Sequence, residues 1–196
     1  MSAVAAAAPA PVPGYTGVAR FLHWLIASLT VIAVGFGLAI PQAPHNTHSR
    51  ELLLLLHRSI GLTILGLMVA RALWRTGHPP PHLPVTLRRM QVGLARATHA
   101  ALYLLLIGMP ITGYLNAAAA GLPVSFFGIA AIPPLIAEND RLSQIAIALH
   151  LAGQYLVYLL VLLHTAAALH HGIVRRDGVL ELMLPPRRRG GASGQI

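Results

Sequence analysis

The chain has 196 residues, of which 56% are hydrophobic and only 10% charged, with a formal net charge of +9. Soluble domains carry about 25% charged residues, so the composition excludes an ordinary water-soluble fold and makes lipid the main solvent. There is no cysteine, which excludes disulfides, iron–sulfur clusters and thiolate metal sites. All 14 cations are arginines, and they flank apolar runs rather than form one basic patch, which argues against a nucleic-acid partner.

In chain order, residues 1–14 are rich in Ala and Pro and lack the basic start and apolar core of a signal peptide, so a disordered tail is expected. Four apolar runs follow, at about 21–40, 52–74, 97–115 and 145–169. A spanning helix needs about 20 apolar residues, so each run qualifies. None shows the polar face of a soluble bundle helix. Pro110 falls inside the third run and is a candidate kink. Residues 121–137 are also apolar but hold Gly121, Pro123, Gly128, Pro133 and Pro134, so this stretch is expected as a loop or short helix lying on the bundle's end. The expected fold class is all-α, a bundle of four transmembrane helices within a membrane domain at 15–184. A basic, flexible tail is expected at 185–196.

The arginines orient this bundle. Arg20, Arg71, Arg75, Arg88, Arg89, Arg96, Arg175, Arg176, Arg187, Arg188 and Arg189 fall at one end, and only Arg50, Arg58 and Arg141 at the other. By the positive-inside rule both termini are cytoplasmic. Glu51, Glu138 and Asp140 then lie on the outer side.

Eleven histidines are many for so apolar a chain. His57 and His150 lie near the outer starts of the second and fourth helices. His23, His99 and His164 lie toward the cytoplasmic side. His45, His48, His78 and His82 sit in loops and are given no role. An ionisable residue inside a membrane is costly and marks function, and neutral imidazole ligates iron well. His150 and His164 are fourteen residues apart, which returns to within about 40° of one face and spans about 21 Å. One helix therefore presents two imidazoles at two depths. The pattern points to two haems b, an outer one between His57 and His150 and an inner one between His23 and His164. His99 lies at the depth of His23, and spacing alone does not choose between them. Gly35, Gly37, Gly61, Gly66 and Gly113 would allow close approach of a helix or porphyrin. Arg58, Arg71 and Arg75 are candidates to pair haem propionates. The competing reading is interhelical hydrogen bonding by each histidine in a non-redox carrier or scaffold. Four to six histidines at two matched levels argue against it, and metal transport is disfavoured because no carboxylate lies within a span. His170 and His171 at a helix end also suit interfacial or capping roles.

These residues resemble the bacterial cytochrome b561 family of four-helix di-haem membrane proteins. The matching pieces are Arg20-Phe21-Leu22-His23-Trp24-Leu25, His57-Arg58-Ser59-Ile60-Gly61, Gly93-Leu94-Ala95 with His99 and Tyr103, Gly153-Gln154-Tyr155, and His164 through His170-His171. The resemblance covers nearly the whole chain and implies His23 rather than His99 as the inner ligand. The compact form is similar to the superoxide oxidase type. That likeness implies electron transfer from periplasmic superoxide through two haems to ubiquinone, in the bacterial inner membrane. It also implies that the Pro123–Gly128 segment covers the outer haem and that His99 and His171 lie near the quinone. His171 is seven residues beyond His164 and so shares its helix face. With no lysine present, Arg50, Arg58 or Arg141 must supply the positive field for superoxide, and Arg58, next to His57, is the catalytic candidate. The alternative is an electron-transfer subunit of a larger oxidoreductase, such as a hydrogenase or a sulfur-compound reductase, docking a partner redox protein.

Overall fold

The computed structural model describes residues 14–81 and 87–185. The tails expected at 1–14 and 185–196 fall outside the described residues except for Gly14 and Pro185, and His82 also lies outside them. Four helices are long and apolar enough to cross a membrane. They are α1 (Gly17–Ala39), α2 (His48–Gly77), α3 (Arg89–Ala119) and α4 (Asp140–Leu169).

Each helix begins before its apolar run, because polar residues outside the runs cap it. Thr16, Thr47 and Asn139 accept hydrogen bonds from the amides of Ala19, Arg50 and Leu142, satisfying donors that the first turn leaves free. The helix α3 passes through Pro110 unbroken. At the end of α4 the backbone widens into a π-helix over His170–Arg175 and then stops at Arg176 in the left-handed region.

The helices pack in sequence, α1 on α2, α2 on α3 and α3 on α4. The seam between α1 and α2 is made by Leu22, Ile26, Thr30 and Ala33 against Ile60, Ile64 and Met68. Their three- and four-residue spacing places them on one stripe of each helix. The opposite faces remain bare: Phe21 of α1 is 65% exposed and Leu73 of α2 67%. Bare apolar faces on helices of spanning length are lipid-facing surface, so the protein is a multi-pass membrane protein.

The ends of the bundle are fixed by polar contacts. Trp74 near the end of α2 donates its indole N–H to Thr16 before α1. Trp24 on α1 donates to the Met183 carbonyl, Arg20 to the Leu184 carbonyl, and Leu182 is buried. The start of α1, the end of α2 and the segment after α4 therefore share one end.

The 121–137 stretch forms a hairpin of β1 (Val124–Phe126) and β2 (Ala130–Ile132), with no helix. Phe127 and Gly128 both have positive φ, 51° and 74°, and the Ile129 amide donates to the Phe126 carbonyl at 3.0 Å. This is the mirror-image turn that suits strand twist. Ser59 of α2, fully buried, clamps it: its hydroxyl accepts from the Phe127 amide at 2.8 Å and approaches the Ser125 carbonyl at 3.3 Å.

Candidate functional site

At the end of the bundle under the hairpin, His57 of α2 and His150 of α4 face each other, with ring centres 6.0 Å apart and planes at 79°. The His57 Nδ1–H donates to the Ala33 carbonyl of α1 at 2.9 Å. The His150 Nδ1–H donates to the Met109 carbonyl of α3 at 3.0 Å, with the Thr112 hydroxyl 3.1 Å away. A carbonyl only accepts, so each Nδ1 carries the proton and each Nε2 keeps its lone pair. A histidine with its far nitrogen bound to a carbonyl is oriented and made a better donor to a metal.

Glycines make room for both rings. A Cβ on Gly37 would stand 3.3 Å from His57 Cε1, and one on Gly113 3.2 Å from His150 Cε1. Gly61 approaches the Pro110 ring, whereas Gly35 and Gly66 have nothing near the position of a Cβ.

Both imidazoles line a cavity of about 460 Å³ between α1, α2, α3 and α4, with Val124 of the hairpin also on its wall. Arg58 also lines it, and its guanidinium points to the Pro123 carbonyl at 3.5 Å. Arg50 is engaged elsewhere, donating to the Ile40 and Ala43 carbonyls at 2.6 and 3.2 Å. Arg141 lies exposed at the start of α4.

About four helical turns away, a second group forms from His23 of α1, His99 of α3 and His164 of α4. The ring centres are 6.1 Å apart for His23 and His164, and 5.3 Å for His99 and His164. Among the described residues no three side chains are close enough together to share one small metal ion.

The distances bear on haem. Two imidazoles on opposite faces of one metal need about 6.2 Å between ring centres, from a metal–nitrogen bond of about 2.0 Å and about 1.1 Å from ring centre to nitrogen. The His57–His150 and His23–His164 separations fit this, and His99 stands too close to His164. The donor set, all-nitrogen and half-buried between apolar helices, suits a haem iron.

Of the arginines expected at propionates, Arg71 donates to the Tyr103 hydroxyl at 3.0 Å and to the Ala19 carbonyl at 2.9 Å. Arg75 lies over the Tyr103 ring at 5.7 Å. His171 is placed by the π-helix rather than by α-helical spacing from His164, so the shared-face argument ends at Leu169. Its Nδ1–H donates to Asp177 at 2.7 Å, and Arg175 reaches the same oxygen at 3.1 Å. Burial pushes the Asp177 carboxyl up, but its bonds from His171 and the Val179 amide and the Arg175 charge outweigh this and hold it below the usual carboxylate range.

Sequence reasoning assigned no role to Ser59, Thr112 or Asp177 and did not pair Tyr103 with Arg71. Asp177 carried a signal: it is a lone carboxylate among the arginines that follow His171.

The sequence profile described as prokaryotic cytochrome b561 matches residues 14–186. Cytochrome b561 homolog 2 of Escherichia coli (strain K12) is 34% identical over 170 residues, covering 87% of this chain and 90% of the relative. A probable superoxide oxidase, CybB, of Yersinia pestis is 32% identical over 167 residues, covering 85% and 93%. Cytochrome b561 homolog 1 of Escherichia coli (strain K12) is 24% identical over 170 residues, covering 86% and 95%.

Proposed function

The chain belongs to the prokaryotic cytochrome b561 family and is a membrane cytochrome b, and from that premise we propose that it holds two haems b and carries electrons from superoxide to ubiquinone. The observation that carries this reading is the pair of matched histidine couples, 6.0 and 6.1 Å between ring centres, at two levels of one bundle. The name of the Yersinia pestis relative supports superoxide as the donor. The arginine distribution supports cytoplasmic termini in a bacterial inner membrane, with the hairpin end in the periplasm.

His57 and His150 hold the outer haem, and His23 and His164 the inner one. The haems supply reversible one-electron redox chemistry, and the protein sets their position and surroundings. Arg58 places a positive charge in the outer cavity and draws the superoxide anion toward it. The hairpin, held by Ser59, limits water at that level. At the other end His99 and His171 offer nitrogen partners to the carbonyls of a quinone entering from lipid. Asp177 fixes the His171 tautomer, so that Nε2 faces away from the carboxylate and can take or give a proton. Two superoxide anions yield two dioxygens and two electrons, and the quinone takes those electrons with two protons from the cytoplasmic side.

The test is to pulse purified protein with superoxide in the presence of a short-chain ubiquinone. Quinol should form at half the superoxide consumed beyond spontaneous dismutation. Haem absorbance that does not respond to superoxide would remove the donor assignment and favour a partner redox protein.

A further inference from the structure

Arg75, which lies over the Tyr103 ring, and Arg96 stand at the end of the bundle where α1 starts and α2 ends. Arg75 lies two residues before the end of α2, and Arg96 lies in the third turn of α3. They wall a groove of about 410 Å³ between those helices, completed by Ala72, Thr76, His99, Ala100 and Tyr103. Among the described residues neither guanidinium has an ion-pair partner, and the ion pairs found are those of Asp177. The whole chain has five carboxylate side chains, Glu51, Glu138, Asp140, Asp177 and Glu181, and none of them lines the groove. Two like charges therefore share one recess with no anion from the protein. Arg71, one turn away, contrasts with them, because its guanidinium is bound to Tyr103 and Ala19.

The position of the groove selects the anion. The helix α3 has 31 residues, about 46 Å at 1.5 Å each, against a hydrocarbon core of about 30 Å. Its end turns thus extend into the headgroup region, and Arg96, in the third turn, lies near that boundary. Exposed Leu73 and Leu104 follow on the lipid-facing sides of α2 and α3, and Ala72 and Ala100 leave the recess between them shallow and wide. Cations at the headgroup level above apolar helix faces suit a molecule with an anionic head and acyl chains.

We propose that this groove binds the phosphodiester of an anionic phospholipid, with Arg75 and Arg96 donating to its oxygens and the chains lying along Leu73 and Leu104. Guanidinium is the group best shaped for such an oxyanion. His99 lines this groove as well, so the lipid site shares a wall with the quinone position proposed above.

Native mass spectrometry of the haem-loaded protein, released from nanodiscs of mixed phosphatidylglycerol and phosphatidylcholine, tests it. The wild type should retain phosphatidylglycerol in preference to phosphatidylcholine. The paired substitution Arg75→Gln with Arg96→Gln should weaken that retention about thirtyfold, with haem content per chain counted alongside. Arg88→Gln with Arg89→Gln removes the same charge at the same end and should leave retention as it was. Equal loss in both pairs, or no preference in the wild type, overturns the site. Displacement of the lipid by excess inorganic phosphate makes the ligand a soluble anion and overturns the lipid assignment. Loss of haem from the groove pair alone makes the arginines partners of haem carboxylates instead.

Discussion

His57 and His150 face each other with ring centres 6.0 Å apart, and each lies on a glycine of the helix before its own. His57 of α2 donates to Ala33 and rests on Gly37, both of α1. His150 of α4 donates to Met109 and rests on Gly113, both of α3. In each case the carbonyl lies four residues, one turn, before the glycine. The two helical hairpins thus build the two halves of one site in the same way.

The first prediction concerns those glycines. Gly→Ala inside a helix ordinarily gains about 0.5–1 kcal/mol. At Gly113 and Gly37 the new Cβ would stand 3.2 and 3.3 Å from an imidazole carbon, and the ring, tethered to its carbonyl, must give by a few tenths of an ångström. Gly113→Ala or Gly37→Ala should weaken outer haem retention and lower the thermal midpoint. Gly93→Ala, where nothing stands near the new Cβ, should raise or preserve it. Equal midpoints for all three variants would show that the rings are not seated on the glycines.

The second prediction separates the levels. His57→Ala or His150→Ala should each cost one haem, and His23→Ala or His164→Ala the other, read by haem content per chain. His99→Ala should keep both haems, since its ring is 5.3 Å from His164, less than a shared iron needs. Haem loss from His99→Ala with none from His23→Ala would reverse the assignment on α1 and α3.

Arg58 supplies the third. It lines the outer cavity, so Arg58→Ala should slow haem reduction by superoxide about tenfold without loss of haem. The wild-type rate should fall as salt rises, because the steering field is screened. Arg50 is bound to the Ile40 and Ala43 carbonyls, so Arg50→Ala should lower stability and leave the rate largely intact. Stopped-flow absorbance and thermal melts distinguish the two residues.

The fourth follows from Asp177. Its carboxyl is held below the ordinary value of 3.8. A depressed carboxylate stabilises the folded state fully above its unfolded value, and that contribution is lost as pH falls through the folded one. The turn at 177–184 should therefore hold to lower pH than an ordinary carboxylate allows and loosen below it, read by hydrogen exchange of the Val179 amide, which donates to Asp177. Asp177→Asn should exchange faster at neutral pH and lose the acid transition. It should also slow quinol formation while leaving haem reduction by superoxide unchanged.

Much of the bundle was legible because hydrophobic runs of spanning length have few alternatives in lipid. Helix ends were less legible: the caps Thr16, Thr47 and Asn139 lie outside the runs and are ordinary polar residues in sequence. The hairpin at 124–132 was hidden because its short strands carry no long alternation, although Phe127-Gly128 held the turn. At the site, depth along the helices predicted which histidines meet, since a membrane fixes levels. It could not rank His23 against His99, which differ by less than 1 Å in their distance to His164. The His171–Asp177 pair depends on a π-helix and a left-handed residue at Arg176, and α-helical periodicity cannot reveal either.

The central claim is that each histidine pair holds one haem, and haem stoichiometry with spin state tests it most directly. A pyridine haemochrome assay on purified protein, with quantified chain, should give two haems b per chain. Low-temperature electron paramagnetic resonance of the oxidised protein should show only low-spin iron with two imidazoles, in two distinguishable signals. One haem per chain, or a high-spin signal with an open axial position, would contradict the pairing of His57 with His150 and of His23 with His164.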